Sequence, residues 1–176
     1  MNHLKVIDDV VSPSYQDHIE RIIGGESFPW YYYNNITDDR DPQKDNNGGF
    51  SNRIYHGPND YTPHAEITFP LLLEAVEKYK KRSFNDLIRI RAAMFTKNQT
   101  DRPHLPHVDH QELEHKVMLY YVVDSDGPTK IYNGDKVVKE IVPKKGRAVF
   151  FPGNTYHASS SPKQHPRRIV INFNYV

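Results

Sequence analysis

The clearest evidence for the fold lies in residues 116–152, "KVMLYYVVDSDGPTKIYNGDKVVKEIVPKKGRAVFFP". It contains four segments rich in β-branched and aromatic residues, and Gly, Pro, Asn or Asp bounds each of them, which is the pattern of short strands joined by turns. Asn133-Gly134 predicts a tight hairpin, and Pro143 with Gly146 predicts a second turn. No helix-length pattern interrupts the stretch, so it favours a sandwich or barrel over a parallel sheet with crossover helices.

Applied to the whole chain, the same criteria predict six strands, at residues 87–95, 116–123, 129–133, 136–142, 146–152 and 167–176. Two helices are predicted before them. One begins after the capping residue Ser12 and ends at Gly24-Gly25, and the other lies in "AEITFPLLLEAVEKYKKRS", residues 65–83. The Asp-, Asn- and Gly-rich segment at residues 37–49 is predicted to be a mobile loop that could act as a lid. The expected fold is therefore mainly β with flanking α-helices.

Composition narrows the range of function classes. The chain has 176 residues, a formal net charge of +1 and no cysteine. The near-zero charge gives no footprint for binding nucleic acid or a membrane surface. Without cysteine, any metal must be bound by His, carboxylate, carbonyl or water. The N-terminus lacks the pattern of a signal peptide and no apolar run is long enough to span a bilayer, so we expect a cytoplasmic protein without a membrane segment.

A candidate metal motif lies in "HLPHVDH", residues 104–110. His107-Val108-Asp109 places a histidine and a carboxylate two residues apart, where an extended backbone points both to the same side. The composition alone yields roughly one such triplet by chance, so the motif needs further support. His157, 48 residues beyond Asp109 (157 − 109), offers the third ligand of a 2-His-1-carboxylate site of the kind that binds non-haem Fe(II).

The region from residue 87 to residue 176 resembles the catalytic half of prolyl 4-hydroxylase-like Fe(II)/2-oxoglutarate dioxygenases, and in particular the short forms found in bacteriophage genomes. Five features carry the resemblance in order: the His-x-Asp triplet, "LYYV", "DSDGPTKIY", the histidine after "FFPG", and an arginine on the last strand. The resemblance implies a double-stranded β-helix, a jelly-roll or cupin-like barrel. It also implies one domain over 1–176, with helical support and substrate-side loops in 1–86 and the catalytic barrel in 87–176.

The resemblance implies the chemistry as well. The cofactors would be Fe(II), 2-oxoglutarate and O2, with ascorbate as an optional reductant, and the reaction would hydroxylate a C–H bond and release succinate and CO2. We expect the catalytic iron ligands to be His107, Asp109 and His157. Five other histidines, His18, His64, His110, His115 and His165, are expected to be surface or structural residues.

The resemblance also assigns the 2-oxoglutarate site. A basic residue on the last strand would bind the distal carboxylate, and strand alternation allows only one of Arg167 and Arg168 to point inward. The phase with Arg168 and Asn172 inward leaves the more apolar set for packing against helices, so Arg168 is the expected partner. On the strand 116–123, Leu119 and Tyr121 are expected to face the co-substrate.

The substrate is the open question. We expect a peptide, with a prolyl peptide as the leading candidate, or a small molecule. Trp30 and Tyr32 in the aromatic run "PWYYYNN", residues 29–35, and His104 beside the motif are candidate substrate-side residues. An oxidative nucleobase demethylase would use the same chemistry, and a non-catalytic cupin-like binding module would share the fold. The oligomeric state is not encoded in any recognisable pattern.

Overall fold

A computed structural model of the chain describes residues 4–36, 48–80, 84–98, 103–111 and 113–176. Within these residues the chain forms two α-helices and ten β-strands. In chain order they are β1 (Lys5–Ile7), α1 (Pro13–Ile23), β2 (Tyr31–Tyr33), β3 (Gly49–Tyr55), α2 (Ala65–Lys80), β4 (Leu87–Thr96), β5 (Lys116–Tyr121), β6 (Thr129–Asn133), β7 (Lys136–Ile141), β8 (Ala148–Pro152), β9 (His157–Ser159) and β10 (Arg167–Tyr175). Neither described helix is both long and apolar enough to cross a bilayer.

The described strands form two antiparallel sheets. The large sheet has seven strands in the order β1-β8-β5-β10-β4-β3-β2, and the small sheet has three in the order β7-β6-β9. Strands far apart in sequence are neighbours in the large sheet: β10 pairs with both β4 and β5, so that Asn172 lies opposite Arg91 on one side and Leu119 on the other. This arrangement is the double-stranded β-helix, and the predicted fold is confirmed.

Alternation along the central strands separates two apolar layers. On β5, Met118 and Tyr120 face α1 and α2, where they join a buried layer that includes Ile19 and Leu72. The alternate residues Val117, Leu119 and Tyr121 face the small sheet and form a second layer with Ile131. Each buried layer contributes roughly 25 cal/mol per Å² of apolar surface removed from water, so the large sheet is held from both faces.

Helix α1 begins and ends at the predicted positions. The Ser12 side chain accepts a hydrogen bond from the backbone N–H of Tyr15, and Pro13 occupies the first turn, where its missing N–H costs nothing. At the other end, the backbone N–H of Gly24 donates to the carbonyl of Glu20 at 2.8 Å. Helix α2 lies within the predicted segment and accommodates Pro70 inside it.

All six predicted strands are present, each within two residues of its predicted ends. The chain before residue 87 also supplies β1, β2 and β3 to the large sheet, which the sequence analysis did not predict. Most of the predicted loop at 37–49 lies outside the described residues. Its last residue, Gly49, belongs to β3, which pairs with β2 and β4.

Candidate metal centre

Two histidines 50 residues apart (157 − 107) are fixed side by side by the backbone. His107 and His157 form an isolated antiparallel bridge in which each backbone N–H donates to the carbonyl of the other at 3.0 Å. Their ring centroids are 4.7 Å apart. The short strand β9 thus brings the distal histidine to the segment that carries the His-x-Asp triplet.

Asp109 completes the group. One ligand atom from each of His107, Asp109 and His157 lies within 4.8 Å of the other two, and within the described residues this is the one group of three or more such side chains that could hold a metal. The three side chains line a common cavity between the two sheets. The structure therefore brings the predicted triad together.

Both histidine rings are oriented by a local backbone contact. The Nδ1 atom of His107 lies 3.1 Å from the carbonyl of Leu105, and the Nδ1 atom of His157 lies 3.0 Å from the carbonyl of Thr155. A carbonyl only accepts, so each ring carries its proton on Nδ1, and Nε2 keeps a lone pair. This is the tautomer and orientation that a metal-binding histidine requires.

The pKa of His107 agrees with this assignment. Burial and the neighbouring His157 lower it from 6.5 to about 4, so the ring is neutral at neutral pH. A neutral imidazole can ligate a metal without first losing a proton.

The Asp109 carboxylate accepts hydrogen bonds from three side chains. Arg89 Nη2 donates to Oδ1 at 2.9 Å, Asn174 Nδ2 donates to Oδ2 at 2.9 Å, and Asn172 Nδ2 lies 3.1 and 3.2 Å from the two oxygens. Burial alone would raise the pKa of Asp109. The electrostatic influence of His157, Arg89 and His107 and the hydrogen bond from Asn172 outweigh it, so the pKa lies well below its usual range. The carboxylate is therefore ionised and held in one orientation.

The last strand shows the predicted phase. Arg168 is 1% exposed and lines the same cavity as the triad, together with Leu119 and Asn172. The Arg167 side chain points to the other face, where Nη1 donates to the carbonyl of Gly24. The prediction that Arg168, and not Arg167, faces inward is confirmed.

Arg168 is anchored and incompletely paired. Its Nε donates to the carbonyl of Gly127 at 3.0 Å and its Nη2 donates to Thr129 Oγ1 at 2.8 Å. Its buried Nη1 has no hydrogen-bond partner within the described part of the chain. Such an orphaned guanidinium nitrogen costs free energy unless an acceptor arrives. Arg168 therefore offers a free donor to an anion in the cavity.

Tyr121 contacts both Thr129 and Arg168. Its hydroxyl donates to Thr129 Oγ1 at 2.7 Å, and its ring centroid lies 5.6 Å from the Arg168 guanidinium carbon. Thr129 therefore accepts two hydrogen bonds, and its own proton is free to be donated elsewhere. The structure places Tyr121 against Arg168 and Thr129, and Thr129 rather than Tyr121 lines the cavity.

The three predicted substrate-side residues lie elsewhere than expected. Trp30 packs on the core against Phe28, with ring centroids 4.7 Å apart. Tyr32 is 60% exposed and contacts Phe50, because strand alternation turns it away from the cleft that Tyr31 and Tyr33 line. His104 is 2% exposed, and its Nδ1 contacts Ser159 Oγ at 2.7 Å. The sequence analysis selected Trp30 and Tyr32 rather than the two tyrosines that line the cleft, and it did not foresee the burial of His104.

Four site residues were not predicted: Arg89, Arg91, Thr129 and Ser159. The two arginines carry a visible signal, since the "RIR" pattern at 89–91 places them on one face of an otherwise apolar strand. Asn174, in contrast, follows from the confirmed phase of β10. Thr129 and Ser159 carry no signal of their own, because their roles depend on contacts between distant strands.

Comparisons with known proteins agree with this geometry. Residues 90–176 match the sequence model of the 2OG-Fe(II) oxygenase superfamily. No curated protein matches the chain at the level of sequence. Among solved structures, the fold is similar to a 2OG-Fe(II) oxygenase family oxidoreductase from Burkholderia pseudomallei, with a TM-score of 0.74 and 12% identity over 98% of this chain and 84% of that one.

Two prolyl hydroxylases share the fold. The enzyme from Trichoplax adhaerens, solved with a hypoxia inducible factor peptide fragment, has a TM-score of 0.68 and 13% identity over 99% of this chain and 84% of that one. The viral collagen prolyl hydroxylase of Paramecium Bursaria Chlorella virus-1 has a TM-score of 0.60 and 16% identity over 98% and 96%. Identities this low establish the shared fold alone.

The family match covers β10, almost all of β4, and every described strand between them, and it contains the His-Asp-His group and Arg168. Enzymes of this family use Fe(II), 2-oxoglutarate and O2 to hydroxylate C–H bonds. Through residues 90–176, the chain belongs to the 2OG-Fe(II) oxygenase superfamily.

Proposed function

We propose that His107, Asp109 and His157 bind the catalytic Fe(II), that Arg168 and Thr129 bind the distal carboxylate of 2-oxoglutarate, and that the substrate is a prolyl peptide. The observation that carries this proposal is the single cavity that contains both the triad and the orphaned Nη1 of Arg168. A metal-binding group and an anion-binding group in one cavity suit a keto-acid that chelates a metal at one end.

The donor set fits Fe(II). Two imidazoles and one carboxylate form the facial triad that leaves coordination positions open for other ligands. The bridge between His107 and His157 and the contacts of their Nδ1 atoms hold both rings in place before a metal arrives. Asn172 and Asn174 donate to the carboxylate and orient it, which is the role of outer hydrogen-bond partners in metal sites.

The anion-binding part fits 2-oxoglutarate. Arg168 Nη1 and the Thr129 hydroxyl are two donors without further acceptors in the described residues, and a carboxylate offers two oxygens. Leu119, Val170 and Phe95 line the same cavity and exclude water from these bonds. Charge-assisted hydrogen bonds of this kind are worth about 1.5–3 kcal/mol each.

The chain's own residues bind and orient, and the cofactors supply the reactivity. Fe(II) held by His107, Asp109 and His157 would supply the activation of O2 that couples the conversion of 2-oxoglutarate to succinate and CO2 to hydroxylation of a substrate C–H bond, with one oxygen atom of O2 in succinate and the other in the hydroxyl group. The contribution of the protein is to keep Asp109 ionised, to orient both imidazoles and to hold the co-substrate carboxylate at Arg168.

The choice of a peptide substrate rests on the similar prolyl hydroxylases and on the space beside the metal. A cleft of about 880 Å³ adjoins the triad cavity, and the two share Ile36 and Arg91 in their linings. A cleft of that size accommodates an extended peptide segment across the mouth of the cavity. Among the described residues, no contact favours a nucleobase.

The test is product analysis with isotopically labelled O2. Protein supplied with Fe(II), 2-oxoglutarate and pools of proline-containing peptides should form succinate and a peptide heavier by one labelled oxygen atom on proline. The Asp109→Ala variant is the matched control and should form neither product. Labelled oxygen in an amino acid, a nucleoside or another small molecule, and in no peptide, would overturn the peptide assignment.

A further inference from the structure

We propose that the substrate peptide carries an acidic side chain close to the hydroxylated residue, and that Arg91 binds it. This inference rests on the proposed peptide hydroxylase function and names the chemistry of its substrate. It concerns the arginine cleft, defined as the surface formed by Tyr31, Tyr33, Ser51, Arg53, Arg89 and Arg91.

The arginine cleft is the continuation of the metal-bearing face of the large sheet. Beyond β10 the sheet continues through β4, β3 and β2, and alternate residues of these strands point to the same side as the triad. No residue of the small sheet lines the cleft within the described part of the chain. The small sheet covers the other end of this face, so the cleft stays open beside the metal site.

The cleft concentrates positive charge. Arg53 on β3 lies directly opposite Arg91 on β4, and Arg89 follows two residues away on the same face. Like charges in directly opposite positions of an antiparallel pair are destabilising. An anion bound between the guanidinium groups would offset this repulsion with charge-assisted hydrogen bonds.

Two of these arginines have carboxylate partners within the chain. Arg89 pairs with Asp109 at 2.9 Å, and Arg53 pairs with Asp60 at 3.2 Å. Both side chains of the second pair are more than half exposed, so that pair is weak and leaves Arg53 available. Among the described residues, two carboxylates therefore face the three guanidinium groups of the arginine cleft.

Arg91 has no carboxylate partner among the described residues. Its Nε donates to Ser51 Oγ and its Nη2 donates to the carbonyl of Ile36, both at 2.7 Å. Burial and the neighbouring Arg89 lower the pKa of Arg91, which reflects the cost of keeping this charge away from water. An arginine nonetheless stays protonated in proteins, so the charge persists and favours an incoming anion.

Arg91 also stands at the required place. It lines both the triad cavity and the arginine cleft, so a group bound to it lies next to the metal-binding side chains. Tyr31 and Tyr33 extend the cleft away from the metal with exposed rings that can contact the backbone and side chains of a peptide. A peptide with its target residue at the triad would place a neighbouring side chain against Arg91.

The experiment uses wild-type protein with Fe(II), 2-oxoglutarate and proline-centred peptides in which each flanking position in turn is Glu, Gln, Lys or phosphoserine. The readout is the rate of formation of hydroxylated peptide at low peptide concentration. At one flanking position Glu should exceed Gln by about tenfold or more, the size of one charge-assisted hydrogen bond. Raising the salt concentration should narrow the ratio, because salt screens partly exposed charges.

Variants assign the preference to Arg91. The Glu-to-Gln ratio should fall to near one in Arg91→Gln, whereas Arg91→Lys, which keeps the charge, should retain a reduced preference. The matched control is Lys139→Gln, which removes a positive charge from an exposed position of the small sheet and should keep the wild-type ratio. The ratio compares two peptides on one protein, so a loss of folded variant does not change it.

Equal rates for Glu and Gln at every position, or an undiminished ratio in Arg91→Gln, would overturn the inference while hydroxylation itself continued. A preference for phosphoserine over Glu that Arg91→Gln also removes would keep the anion at Arg91 and assign it to a phosphate. No succinate and no hydroxylated product with any substrate would instead count against the proposed function.

Discussion

Among the described residues, two pairs of histidine rings lie in contact, His107 with His157 and His110 with His115, with centroids 4.7 and 5.3 Å apart. In the second pair, His115 also contacts a backbone carbonyl two residues earlier through Nδ1, as both members of the first pair do. Three of the four histidines therefore share the same contact between the ring and a backbone carbonyl. The surroundings of the two pairs differ.

The first pair opens into a cavity and has Asp109 as a third ligand. In the second pair, both Nε2 atoms are buried and have no partner within the described residues, and no carboxylate completes a metal group there. Gly153 packs so closely on the His115 ring that a Cβ at that position would clash with it. Both pairs line cavities, so the comparison shows that a carboxylate and a cross-strand bridge distinguish the proposed iron site from a cluster of histidines.

The largest expected difference between the two histidine pairs is in catalytic activity. Asp109→Ala and His157→Ala should lower 2-oxoglutarate turnover on the order of 10³-fold or more, because loss of a bound metal removes several kcal/mol of catalysis. His115→Gln removes a histidine with the same ring-to-carbonyl contact and should retain turnover. Succinate formation is the measurement. Comparable losses in His115→Gln and His157→Ala would show that the two pairs are not functionally distinct.

A second prediction concerns Arg168, which lines the cavity of His107 and His157 and is proposed to bind the distal carboxylate of 2-oxoglutarate. Arg168→Ala should raise the 2-oxoglutarate concentration needed for half-maximal turnover on the order of 10²-fold, because it removes charge-assisted hydrogen bonds to the distal carboxylate. The control is Arg167→Ala, whose side chain bonds the Gly24 carbonyl on the other face. A larger shift in Arg167→Ala than in Arg168→Ala would contradict the assignment.

The smallest expected effect is on the stability of the metal-free protein. The folded-state pKa of His107 is about 4 and its ordinary value is 6.5, so the unfolded chain binds more protons between these pH values. The free energy of unfolding should therefore rise with pH from 4 to 6.5, by at most about 3 kcal/mol from this group. His107→Gln should flatten that rise, as measured by denaturant titration across the window. An unchanged slope in the variant would show that His107 does not titrate as its burial implies.

Much of the catalytic half could be predicted from the sequence. Strands β4 to β8 and β10 have alternating or apolar patterns with clear turn residues between them, so local chemistry marks their ends. The inward phase of β10 followed from comparing the two faces of "RRIVINFNYV", and the burial of Arg168 agrees with it. Here local and tertiary preferences coincide.

The N-terminal half was less predictable for physical reasons. Strands β1 and β2 have three residues each and exist because they pair with β8 and β3, contacts that no local pattern reveals. The aromatic run at 30–33 has no polar residue to mark its outer face, so the partial burial of Trp30 on the core and the exposure of Tyr31, Tyr32 and Tyr33 could not be derived. His104 is buried by its contacts with Ser159 and Phe95, which come from distant strands.

The most direct test of the iron assignment is an anaerobic titration of Fe(II) into protein saturated with 2-oxoglutarate. A visible charge-transfer band should grow to saturation at one Fe(II) per chain in the wild type and in His115→Gln, and it should be absent in His107→Ala. A band of unchanged intensity in His107→Ala, or its loss in His115→Gln, would contradict the assignment of the iron to His107, Asp109 and His157.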